Sequence, residues 1–148
     1  MLFRSQTGVT MFKLDEGVDT GDIIGQEIIK LNKNTTATEL YKEVNDMHIA
    51  LIAKYWNDIV NNNVILKKQN EIEATVWRQR KPEDGEIFNT MTMEEADRLV
   101  RAVTHPYPGA FYKRNGKTYR IWSAETNKNE GSIELNDGYL NPIDYEID

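Results

Sequence analysis

An alternating run, Thr7-Gly8-Val9-Thr10-Met11-Phe12-Lys13-Leu14, leads without a break into Asp15-Glu16-Gly17-Val18-Asp19-Thr20-Gly21-Asp22, which holds four carboxylates and two glycines in eight residues. Period-two alternation puts Val9 and Met11 on one face and Thr10, Phe12 and Leu14 on the other, as in a strand buried on at least one side. Gly17 and Gly21 accept positive φ without steric penalty, so the backbone can turn sharply or approach a ligand closely. Ile23, Ile24, Ile28, Ile29 and Leu31 then resume a strand with residues that suit a sheet interior. The acidic loop therefore lies at a strand end, where a rigid sheet can position ligand or catalytic groups. A solvated acidic hairpin turn is the plain alternative. A calcium loop fits poorly, because Gly17 stands at its third position and Gln26 at the twelfth, where a bidentate Glu is needed.

Thr36 and Glu39 form a capping box that starts a helix running to about Asn61. Leu40, Val44, Met47, Leu51, Tyr55 and Ile59 recur every three or four residues as its buried stripe, with Tyr41, Ile52 and Val60 widening it. His48 is read as a flank or core residue of this helix. Asn61-Asn62-Asn63 ends it, since asparagine tolerates left-handed geometry. Val64-Ile65-Leu66 is read as a short strand, and residues 67–90 as a connector with positive charge gathered around Trp77. A second capping box, Thr92 with Glu95, opens a helix that buries Ala96, Leu99, Val100 and Val103. His105-Pro106-Tyr107-Pro108-Gly109 stops it, because residues before proline avoid helical geometry. Asn115-Gly116 between Phe111–Arg114 and Lys117–Trp122 is a two-residue hairpin signal. Asn136-Asp137-Gly138 marks a second hairpin with a looser turn, between Gly131–Leu135 and Tyr139–Ile143.

The 148 residues leave room for one modest core or two small ones, and with no cysteine there is no disulfide framework. A net charge of −6 disfavours broad attraction to nucleic acid. Met1–Gln6 is too short for a signal peptide, and no apolar run reaches the length of a membrane span. These features lead us to expect a cytoplasmic domain with no membrane partner.

Two segments, Thr7–Ile24 and Trp77-Arg78-Gln79-Arg80-Lys81-Pro82-Glu83-Asp84-Gly85-Glu86-Ile87 continued by Leu99–Phe111, resemble the formyltransferases that use 10-formyltetrahydrofolate. That family includes methionyl-tRNA formyltransferase and the sugar-nucleotide N-formyltransferases. The resemblance implies an α/β fold: the C-terminal half of a Rossmann-like formyltransferase domain over 1–66, a connector over 67–90, and a small α+β module with antiparallel hairpins over 91–148. It implies 10-formyltetrahydrofolate as co-substrate. The family pairs an Asn-x-His on an upstream strand with an Asp on the loop, and of these this sequence matches the Asp, as Asp19. Neither His48 nor His105 replaces the missing His. We therefore expect the C-terminal part of a formyltransferase, inactive alone, whose first half comes from another polypeptide stretch or from an oligomer. The backbone of Glu16, Gly17, Val18, Thr20 and Gly21 is expected at the pterin of the folate, and no residue at a metal.

For the acceptor, Arg80 offers a guanidinium fork suited to phosphate, or a salt bridge to Glu83 or Asp84. Tyr107 offers a ring for stacking, or packing between its prolines. From Met91 onward seven Lys or Arg face ten Asp or Glu, whereas tRNA binding relies on a basic surface. A nucleotide-linked amino sugar is therefore the expected acceptor ahead of methionyl-tRNA. A non-catalytic binding or dimerisation fragment is the reading from another class.

Overall fold

The alternating segment before the acidic loop forms β1 (Gln6–Phe12), and the isoleucine-rich segment after it forms β2 (Ile23–Lys30). They pair antiparallel as a two-stranded sheet. The computed structural model describes residues 5–148. These fall into two units: residues 5–32 with 41–78, and residues 33–40 with 79–148.

In the first unit, register shifts by one residue between Met11 and Phe12, so Ile24 is the extra residue on β2. A bulge there twists the ladder where it enters the acidic loop. Val9 and Ile29 are buried on one face, against the helix α1 (Ala37–Val60) with its buried Leu51. Gly25 makes this contact possible, since a Cβ there would lie 2.2 Å from the Tyr55 ring. Lys54 reaches back to Glu27 at 2.8 Å, which raises the ammonium above its ordinary value. Two expectations fail for the same reason, that one face of this small sheet and one side of α1 find cover within the unit. Ile28 is 67% exposed, and Tyr41, Ile52 and Val60 face outward instead of widening the buried stripe. Leu14 is exposed as well, because β1 ends at Phe12. His48 is an exposed flank residue.

The capping box of α1 is present: the Thr36 N–H donates to Glu39 Oε2 at 2.9 Å, and the Glu39 N–H to Thr36 Oγ1 at 3.3 Å. Thr36→Ala is expected to cost about 1 kcal/mol in denaturant unfolding. The Thr36 amide, and then its hydroxyl, hold the Glu39 carboxyl below its ordinary value of 4.5. A lowered folded value means that the charge stabilises the fold fully above 4.5 and stops doing so as pH falls through the folded value. Wild type should thus melt slightly above Glu39→Gln at neutral pH and match it in acid.

Asn62, at φ 55°, turns the chain out of α1, and the Asn63 N–H returns to Asp58 O at 2.8 Å. Val64-Ile65-Leu66 is not a strand. Instead Lys67 and Ile23 exchange both backbone hydrogen bonds, at 2.7 and 2.9 Å, as an isolated bridge.

In the second unit, α2 (Met93–Val103) begins at the Thr92–Glu95 capping box and packs on a four-stranded antiparallel sheet. The strands are β3 (Ala110–Arg114), β4 (Lys117–Glu125), β5 (Ile133–Leu135) and β6 (Gly138–Ile147), in the order β3-β4-β6-β5. Asn115 and Gly116, at φ 54° and 75°, make the left-handed pair that a two-residue hairpin requires. The second turn is tighter than expected, with Asn136-Asp137 alone between β5 and β6. β6 also runs past Ile143 to Ile147. Pro142 does not end it, because proline sits opposite Ala124 where the β4–β6 register shifts. The core joins Ala96, Leu99 and Val100 of α2 to Ala110, Ile121, Ile133, Leu135 and Leu140 of the sheet. Ile87 completes it, tied in by its N–H to Phe111 O at 2.7 Å.

Candidate active site

The acidic loop is closed at its base by the Lys13 N–H donating to Asp22 O at 2.9 Å. Inside it, Asp15 Oδ1 accepts the Gly17 N–H at 3.0 Å and the Thr20 hydroxyl at 2.7 Å. One short carboxylate thus folds the loop onto itself, as aspartate commonly does in turns. The left-handed residue is neither glycine but Asp19, at φ 57°. A short polar side chain tolerates that conformation best among non-glycines. Gly17 and Gly21 serve close approach instead: a Cβ at Gly21 would lie 1.6 Å from the Lys13 carbonyl oxygen, and one at Gly17 would lie 2.1 Å from Thr20 Oγ1.

Six of the expected site residues therefore share this loop. Gly21 is buried at its base, while Glu16, Gly17, Val18, Asp19 and Thr20 are exposed, Val18 to 88%. Among the described residues no hydrogen bond engages the backbone of Glu16 or Val18, and none engages the Asp19 carboxylate. The four carboxylates do not converge, and no group of three or more His, Asp or Glu among the described residues could hold a metal ion.

One contact to this loop had no signal in the sequence. Gln69, partly buried, donates from Nε2 to Asp19 O at 2.8 Å and to Gly21 O at 2.7 Å. Lone amides carry no periodic pattern, and Gln69 lies in a stretch that reads as connector. The Lys67–Ile23 bridge, two residues earlier, brings it there.

Arg80 and Tyr107 belong to the second unit and occupy different places in it. Arg80 lines a cleft of about 440 Å³ with Asp84, Thr90, Met91, Glu95, Arg98 and Leu99. Its charge is balanced there, since two guanidiniums face two carboxylates. Asp84 also accepts the Lys81 N–H at 2.9 Å, and Arg98 pairs with Glu94. Tyr107 is 43% exposed and its carbonyl accepts the Trp122 indole N–H at 3.2 Å. His105 stacks on the same Trp122, centroids 5.1 Å apart, and so is engaged in packing. No helix among the described residues is long and apolar enough to cross a membrane.

Two family models match the chain: "Formyl transferase" over residues 4–55 and "Formyl transferase, C-terminal domain" over residues 79–142. The methionyl-tRNA formyltransferase of Lachnospira eligens is 30% identical over 128 residues, 86% of this chain and 40% of that protein. Among solved structures, the methionyl-tRNA formyltransferase from Clostridium thermocellum aligns with a TM-score of 0.70 and 26% identity, over 97% of this chain and 56% of that one. An N-formyltransferase from Helicobacter canadensis, crystallised with folinic acid and dTDP-3-aminofucose, aligns with a TM-score of 0.71 and 27% identity, over 96% and 56%. The chain thus spans about half or less of the length of these relatives. The two matched segments frame the loop in one unit and the α2–sheet core in the other, in the family's own order, and the chain belongs to the formyl transferase family.

Proposed function

We propose that this chain contributes the loop acid and the folate-facing loop to transfer of a formyl group from 10-formyltetrahydrofolate to a primary amine. The observation that carries the reading is the Val18-Asp19-Thr20-Gly21 turn, which holds an exposed aspartate, its carboxylate without a hydrogen bond among the described residues, on a left-handed backbone at a strand end. The Helicobacter relative's folinic acid supports the choice of donor. The backbone groups of Glu16 and Val18, without a hydrogen bond among the described residues, suit the donor and acceptor edge of a pterin, while Gly17, Thr20 and Gly21 shape the turn that presents them.

In this chemistry the amine nitrogen bonds to the formyl carbon, charge collects on the carbonyl oxygen, and the bond from carbon to the folate nitrogen then breaks. Stabilising that oxyanion takes positioned donors. The resemblance assigns them to an Asn-x-His, which these 148 residues do not contain. Asp19 would favour the imidazolium and pass the ammonium proton, through water, toward the departing folate nitrogen. The domain reading follows: 1–66 belongs with the catalytic part, 67–90 connects and offers Arg80 to the acceptor, and 91–148 supports acceptor binding through Tyr107.

The acceptor is proposed to be a nucleotide-linked amino sugar, because the tail is net acidic, with seven basic against ten acidic residues. Methionyl-tRNA is the second reading, favoured by the names of the curated relatives. The test is a chimera in which these 148 residues replace the matched part of a methionyl-tRNA formyltransferase. It is expected to formylate a dTDP-linked amino sugar faster than charged initiator tRNA, and the isolated chain to formylate neither. A folded chimera inactive on both acceptors would overturn the formyl-transfer reading, and a preference for tRNA would overturn the sugar.

A further inference from the structure

Among the described residues, nothing inside the acidic loop engages the Asp19 and Gly21 carbonyls on either side of Thr20, although the direction of Asp19 depends on the backbone there. The Asp15 carboxylate organises the turn from Gly17 to the Thr20 hydroxyl, and the Lys13–Asp22 bond closes its base. The carbonyls of Asp19 and Gly21 are instead met from outside, both by the one amide nitrogen of Gln69. Two carbonyl oxygens can be satisfied together by an NH₂ group and by neither oxygen of a carboxylate.

Gln69 is itself held on both sides. Lys67 is locked to Ile23 by two backbone hydrogen bonds, and Asn70 Oδ1 accepts the Ile72 N–H at 3.2 Å to start a short 3-10 turn, Glu71–Glu73. A side chain carried on backbone that is tied at Lys67 and turned at Asn70 restrains the loop it touches.

We propose that Gln69 is a positioning residue for the formyl transfer described above: its amide clasps the backbone on either side of Thr20 and so sets the direction of the Asp19 carboxylate. The inference rests on Asp19 acting in catalysis. Its consequence is that the connector segment, which touches no reacting atom, controls the geometry of the acid. Losing the clasp leaves both carbonyls to water, so the loop loosens while the β1–β2 hairpin persists.

Two measurements test this. In ¹⁵N relaxation of the full 148-residue chain, Gln69→Met is expected to lower order parameters over Val18–Gly21 and leave Gln6–Phe12 and Ile23–Lys30 unchanged. Gln69→Glu is expected to loosen the loop further, because its carboxylate faces two carbonyl oxygens. In the active chimera, Gln69→Met should lower kcat roughly tenfold, as small misplacements of a reacting group do, with KM for the amine changed less than about twofold. On an Asp19→Asn background the same change should cost less than about twofold, since its effect runs through the acid. Equal losses in both backgrounds, or an unaltered loop in Gln69→Met, overturn the clasp alone. An Asp19→Asn chimera with undiminished kcat overturns the catalytic reading and this proposal with it.

Discussion

Leu140→Ala is expected to lower the stability of the α2–sheet unit by about 3 kcal/mol, within the range for removing a buried leucine side chain. Leu140 has no solvent exposure and sits on β6, the strand shared by β4 and β5, opposite Ile133. Its loss leaves a cavity under α2 that both neighbouring strands would have to move to fill. Domains of this size carry about 5–15 kcal/mol in total, so the change removes a large share of it. Thermal unfolding should shift down by roughly 10–20 °C. Ile143→Ala is the internal control: three residues along the same strand, 53% exposed, it should stay within about 0.5 kcal/mol of wild type. A Leu140→Ala protein within 1 kcal/mol of wild type would show that the core does not close around this residue.

What could be read in advance is what short-range chemistry decides. Thr36 with Glu39, and Thr92 with Glu95, each satisfy a helix start within four residues, and both boxes formed as written. Asn115-Gly116 likewise needed no information beyond its own two left-handed residues. The errors come where a local rule met a tertiary circumstance. The strand read as Tyr139–Ile143 runs on to Ile147, because its far end pairs with β4 across a register shift beside Pro142. Ile52 and Val60 read as buried because periodicity marks an apolar face without saying whether anything covers it. Gly17 and Gly21 accept positive φ most freely, yet Asp19 takes it while the glycines relieve crowding at Lys13 and Thr20. Gln69 lies farthest from reach, since its two bonds span 48 and 50 residues and a single amide leaves no pattern.

Asp19→Asn is expected to reduce kcat of the active chimera by about 100-fold or more, the scale of a positioned acid–base group, without unfolding the loop. The choice of asparagine isolates charge from conformation. Asp19 occupies φ 57°, and asparagine is the residue that shares its tolerance for left-handed backbone. The Gln69 contact is to the Asp19 carbonyl and not to its side chain, so the clasp survives the substitution. The melting temperature should therefore hold while turnover falls. Asp19→Ala would confound the two, because alanine carries a penalty of about 1 kcal/mol for the same φ and loosens the turn as it removes the charge. The expected order is thus equal activity loss but unequal stability: Asn near wild type, Ala below it. If Asp19→Asn keeps kcat within threefold of wild type, the outward carboxylate is a solvated turn residue, and the loop serves the folate through its backbone alone.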